Sequence, residues 1–127
     1  MPKSTSHNVI LIVDDEEGVR KTLKDLLKIE GYTQIHTAAD GKEAIAKVKK
    51  TKYSLILLDV RMPKMNGVEV LRRIKEIDVE VPVAMITAWE DVNLAEEALR
   101  SGACDYIKKP FDINYLMASI LSKVIPS

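Results

Sequence analysis

A chain of 127 residues, 46% apolar and 30% charged, has the length and composition of one ordinary domain with a single core, which excludes an intrinsically disordered chain. Its nineteen acidic and nineteen basic residues cancel, so no net field steers it toward nucleic acid or an anionic membrane, and specificity must reside in local pockets. The longest apolar runs are five or six residues against the roughly 20 that span a bilayer, and Met1 to Asn8 lacks the apolar stretch of a signal peptide, so a cytoplasmic location is expected.

Residues 1–7 are polar, include Pro2 and read as a flexible tail ahead of a domain over 8–125. The first apolar run, Val9 to Val13, ends in Asp14 and Asp15 and is followed by Leu23, Leu26 and Leu27 at helical spacing, with Gly31 as the stop. Thr33 to Thr37 comes next; Asp40 then caps a helix carrying Ala44, Ile45 and Val48. Leu55 to Leu58 ends in Asp59, and Asn66 caps a third helix with Val68, Val70, Leu71 and Ile74. Val81 to Ile86 leads to a helix from about Glu90 to Arg100, which Gly102 ends. Ala103 to Ile107 is the fifth run, and after Asp112 the stripe Ile113, Leu116, Met117, Ile120 and Leu121 forms a closing helix.

Five strand–helix units predict an α/β fold with a doubly wound parallel sheet, right-handed crossovers and helices on both faces. The connections are too short for a linker or second domain. The single cysteine, Cys104, cannot form an internal disulfide; between Ala103 and Asp105 it reads as a small core residue of the fifth strand, in a reducing compartment.

In a parallel sheet the carboxyl ends of neighbouring strands lie side by side, where α/β proteins bind ligands, so Asp14, Asp15 and Asp59 are expected to converge. Carboxylates about 4 Å apart repel by on the order of 4 kcal/mol at an effective dielectric of ~20, so such a site needs a cation. Oxygen donors without a Cys or His cluster suit Mg²⁺. The fourth strand end supplies the hydroxyl of Thr87 and the fifth the ammonium of Lys109. A hydroxyl, a lysine and a divalent cation around one carboxylate are what phosphoryl transfer requires, with Asp59 as nucleophile forming an acyl phosphate.

These residues, together with Asp59 to Gly67 (Asp-Val-Arg-Met-Pro-Lys-Met-Asn-Gly) and Asp105 to Phe111 (Asp-Tyr-Ile-Lys-Lys-Pro-Phe), resemble the receiver domain of two-component response regulators over about residues 8–125. The resemblance implies a (βα)5 flavodoxin-like fold with strand order 2-1-3-4-5. It implies that Asp59 accepts a phosphoryl group from a histidine kinase, with Mg²⁺ held by Asp15, by Asp14 largely through water, by Asp59 and by the backbone carbonyl of Arg61. Lys109 would pair with phosphoryl oxygens, its bond to Pro110 being usually cis in the family. Thr87 would turn its hydroxyl to the phosphate, and Tyr106 would move inward as the switching aromatic, remodelling the face of helix four, strand five and helix five. Arg61 and Trp89 occupy the family's lifetime-tuning positions. Both are bulky here, and a cation–π contact that limits water attack stands against a reading as independent exposed side chains.

Plainer readings stand beside these roles. Asp14 and Asp15 can cap the first helix, Thr87 can be a satisfied strand-end hydroxyl, and Tyr106 can be a core residue with its hydroxyl at the rim. Met85 and Met117 read as packing, His36 as exposed on an edge strand, and the lysines at 47, 49, 50 and 52 as a solvated face. A haloacid-dehalogenase-type phosphatase also phosphorylates a strand-end Asp, but it needs a second Asp where Arg61 stands. A flavodoxin-like FMN binder needs a Ser/Thr/Gly-rich phosphate loop after the first strand, where Asp14 to Glu17 would repel a phosphate lacking a metal. The expected function is a phosphorylation-activated switch, not a multiple-turnover enzyme. Its partners are a histidine kinase or phosphotransfer protein and a downstream protein or output domain, with no direct contact to nucleic acid or membrane. It is expected to be monomeric when unphosphorylated, with phosphorylation-dependent dimerisation left open.

Overall fold

The computed structural model describes residues 8–62, 66–88, 92–109 and 113–116. The elements alternate in chain order: β1 (Val9–Val13), α1 (Glu17–Ile29), β2 (Gln34–Ala38), α2 (Gly41–Lys50), β3 (Leu55–Asp59), α3 (Gly67–Ile77), β4 (Val83–Thr87), α4 (Val92–Arg100), β5 (Asp105–Lys108) and α5 (Ile113–Tyr115). All neighbouring strands are parallel, in the order β2-β1-β3-β4-β5. This is the doubly wound sheet expected from the alternation. The order itself came only from the family resemblance.

β1, β3 and β4 are paired on both edges and covered on both faces, which is why they read as unbroken aliphatic runs. Side chains alternate between two cores. Leu11, Val13, Ile56, Leu58, Val83 and Met85 pack with α2, α3 and Ala98 of α4. Ile10, Ile12, Leu55, Leu57, Ala84 and Ile86 pack with Leu23 and Leu27 of α1 and with Leu116 just after α5. Fully burying one such aliphatic side chain is worth about 1.5–3 kcal/mol, so the sheet centre dominates stability.

Local sequence sets the ends. Asp40 Oδ1 accepts from Glu43 N at 2.8 Å, while Glu43 Oε1 accepts from Ala39 N at 2.8 Å, a reciprocal cap for α2. Asn66 Oδ1 accepts from Glu69 N at 2.9 Å at the start of α3. Gly31 and Gly102 follow α1 and α4 with φ of 99° and 112°, the left-handed conformation that glycine adopts without a Cβ penalty.

Three expectations need correction. The fourth strand begins at Val83, not Val81, because Pro82 has no N–H for the ladder, although its carbonyl still accepts from Ile56 N at 3.0 Å. Cys104 is exposed and precedes β5. The alternation there buries Ala103, while Cys104 only lends its N–H to Val83 O at 2.9 Å. His36 does lie on the edge strand β2 but is half-buried, its Nδ1 2.8 Å from the Tyr53 hydroxyl and the rings edge to face at 5.4 Å. The tail at 1–7, the segment holding Trp89, Pro110 with Asp112, and the closing stripe at Met117, Ile120 and Leu121 lie outside the described residues. Among the described residues, no helix is long and apolar enough to cross a membrane.

Candidate phosphoryl and metal site

The register of the sheet steps the chemistry across its carboxyl edge. Val13 is level with Leu58, so Asp14 and Asp59 leave adjacent strands side by side. Asp59 is level with Ile86, which puts Thr87 one residue further along, and Thr87 is level with Lys108, which does the same for Lys109. Lys109 is secured by its own N–H, which donates to Thr87 O at 2.8 Å.

Asp14 and Thr87 are fully buried and Asp59 is 5% exposed, whereas Asp15 is exposed. One carboxylate oxygen from each of Asp14, Asp15 and Asp59 lies within 4.8 Å of the others. The Lys109 ammonium lies 3.2 Å from Asp14 Oδ2, 3.7 Å from Asp59 Oδ2 and 3.7 Å from Glu16 Oε1. Asp14 Oδ1 accepts from Glu16 N at 2.9 Å and Asp59 Oδ1 from Arg61 N at 3.2 Å. Asp14 Oδ2, by contrast, is buried without a hydrogen bond; the lysine approaches it as a charge but off the hydrogen-bonding line.

Burial pushes Asp59 up to about 7, the negative Asp14 adds to the rise, and Lys109 pulls it back. Burial likewise raises Asp14, against the Glu16 N–H and Lys109. Burial acts to lower the Lys109 ammonium, but Asp59 and Asp14 outweigh it and leave its pKa above the ordinary lysine value. Among the described residues, the Lys109 ammonium thus faces two buried acids and a third at the mouth.

The donor set fits a hard divalent ion. Ligand oxygens of an octahedral Mg²⁺ lie about 2.9 to 4.2 Å apart at its usual bond lengths, so small side-chain shifts would bring the three carboxylates into range, and the unbonded Asp14 Oδ2 has a lone pair to offer.

α3 begins directly beneath this edge. A Cβ on Gly67 would lie 2.3 Å from Asp59 O and 2.7 Å from Val60 Cα and O, and the Gly67 N–H donates to Val60 O at 2.6 Å. Only glycine lets the helix start that close to the backbone of Asp59 and Val60.

The other expected residues are less engaged with the cluster. The Thr87 hydroxyl donates to Ala88 O at 3.1 Å, the plainer reading for this state. Tyr106 is half-buried against the core shared with α2, α3 and α4, and its N–H donates to Asp105 Oδ1 at 2.7 Å. Arg61 is exposed and meets the site through its backbone. Its pairing with Trp89, and the Lys109–Pro110 bond, lie outside the described residues. Neither Asp14 nor Asp15 is the N-cap of α1; that residue is Glu16, which makes no side-chain cap. Glu16 was not expected at the site. It stands directly after the acidic pair, and that adjacency was the available signal.

Comparison with known proteins agrees with this geometry. The model of the response regulator receiver domain matches residues 10–121. Sporulation initiation phosphotransferase F of Bacillus subtilis (strain 168) is 38% identical over 117 residues, covering 92% of this chain and 93% of that protein. Regulatory protein AtoC of Escherichia coli (strain K12) is 39% identical over 112 residues, covering 88% of this chain. The chain spans only 24% of AtoC's length. Among solved structures, a CheY-like response regulator receiver domain protein from Methanospirillum hungatei JF-1 superposes with a TM-score of 0.85 at 31% identity, covering 92% of this chain and 93% of that one. With the strand order 2-1-3-4-5 and an acidic cluster compatible with Mg²⁺ binding and phosphorylation, the chain belongs to the response regulator receiver domain family of two-component systems.

Proposed function

We propose that this receiver is a phosphorylation-activated switch whose phosphoacceptor is Asp59. The observation that carries the reading is the placement of one nearly buried carboxylate between a lysine and two further acids at the sheet's carboxyl edge. An oxygen of Asp59 attacks the phosphorus of a phosphohistidine on a kinase or phosphotransfer protein. The new O–P bond forms as the P–N bond breaks, and the freed imidazole takes up a proton. Lys109, already within 3.7 Å of Asp59, pairs with the incoming phosphoryl oxygens.

Mg²⁺, held by Asp14, Asp15, Asp59 and the Arg61 carbonyl, would neutralise charge on the transferring group. The Thr87 hydroxyl would exchange Ala88 O for a phosphoryl oxygen, and Tyr106 would fill the space it leaves. That rearrangement reshapes the face of α4, β5 and α5, through which the chain controls a downstream protein or an output domain. Arg61 and Trp89 would set how long the acyl phosphate survives.

The chemistry is self-directed: the chain accepts the phosphoryl group and loses it to water. The name of the Bacillus subtilis relative favours, in addition, handing the group on to a second protein. A cytoplasmic location and a monomeric unphosphorylated state complete the proposal.

The single tryptophan, two positions after Thr87 in the sequence, offers a fluorescence readout of the reaction. Titration with Mg²⁺ and then with a small acyl phosphate donor is expected to change its fluorescence in two steps, with Asp59→Asn abolishing the second. A second step that persists in the variant would remove Asp59 from its role.

A further inference from the structure

The three acids at the site are not held equally. Asp14 is fixed by full burial, by its N–H to Ala38 O at 3.1 Å and by the Glu16 N–H on Oδ1. Asp59 belongs to the β3 ladder and carries the Arg61 N–H. Asp15 is exposed, and no described residue bonds its carboxylate. Its aim must come from the backbone that precedes it.

That backbone is gripped from α1. Arg20, half-buried and hydrogen-bonded in the helix to Glu16 O at 3.1 Å, folds its side chain back so that Nη1 donates to Asp14 O at 2.7 Å. The peptide group is planar, so holding the Asp14 carbonyl also fixes the Asp15 nitrogen and Cα from which its carboxylate projects.

We propose that Arg20 is a positioning residue for the cation site, which aims Asp15 by clamping the Asp14–Asp15 peptide plane to the first turns of α1. This deepens the function proposed above and rests on its reading of the acidic cluster as a Mg²⁺ site. Arg20 touches neither the ion nor the phosphoryl group. A guanidinium suits the task because it stays charged at every working pH and presents several donors in a fixed plane.

Isothermal titration of the full chain with MgCl₂, without any phosphodonor, tests the inference. Arg20→Ala and Arg20→Gln are expected to weaken Mg²⁺ binding about three- to ten-fold, the factor one net hydrogen bond supports, with Arg20→Lys closer to wild type. Asp15→Asn is expected to weaken binding as well, and Asp15→Asn with Arg20→Ala to be no weaker than Asp15→Asn alone, because Arg20 then has no carboxylate left to aim. Unchanged affinity in Arg20→Ala, or the same loss on the Asp15→Asn background as on wild type, overturns the proposal. So does a loss that a matching fall in melting temperature accompanies and that Lys does not rescue. A wild-type protein that takes up no Mg²⁺ would instead defeat the cation reading on which this rests.

Discussion

At the scale of the residue, the site keeps an acid where water cannot fully solvate its charge. Burial and Asp14 raise Asp59 to about 7 from 3.8, so the folded protein favours its protonated form. The stability this lends is complete below the unfolded value of 3.8 and is lost as pH rises through about 7. Metal-free protein should therefore lose on the order of 4 kcal/mol from this group as pH rises from about 4 to about 7, and Asp59→Asn should escape that loss. Denaturant unfolding in a chelator checks it: the variant's advantage should be larger at about pH 8 than at about pH 5, and an advantage equal at both would contradict it. Positions at this scale were legible in the sequence where a residue ends or directly follows a strand, as Asp59 ends β3 and Asp14 and Lys109 follow β1 and β5. Thr87's present bond to Ala88 O was not, because a hydroxyl's rotamer depends on its neighbours. Nor was Arg20's grip on Asp14, since an arginine inside an amphipathic helix looks like any other solvated charge.

At the scale of the element, the site depends on where helices begin. Gly67 lets α3 start against the backbone of Asp59 and Val60. Gly67→Ala is expected to cost about 1–3 kcal/mol of stability, by forcing that backbone apart, and to lower the yield of phosphorylation as well. Calorimetric melting with a phosphodonor assay reads both, and a variant normal in both would show that the helix can shift freely. Asn66→Ala removes only a cap, so it should cost about 1 kcal/mol and leave phosphorylation intact. Strand and helix types were legible because aliphatic runs of five and helical spacings alternate without ambiguity. Ends were harder. Pro82 trimmed the start of β4, and a strand of only four residues left Cys104 outside β5.

At the scale of the whole molecule, the parallel sheet gathers four strand ends from distant parts of the chain into one acidic pocket. Periodicity predicts the layers but carries no information on which strands are neighbours, so the order β2-β1-β3-β4-β5 was accessible only through the family's motif. Because a folded chain alone assembles the cluster, Mg²⁺ should raise the melting temperature. At one hundred times its dissociation constant the ion adds about 2.7 kcal/mol, and Asp14→Asn should remove most of that gain. Equal shifts in both proteins would place the ion elsewhere. Phosphorylation is to be located by incubating the chain with Mg²⁺ and a small acyl phosphate donor, reducing any acyl phosphate with borohydride, and sequencing the peptides by mass. Homoserine is expected at position 59 alone; homoserine at position 14 or 15, or none at all, would remove Asp59 as the phosphoacceptor.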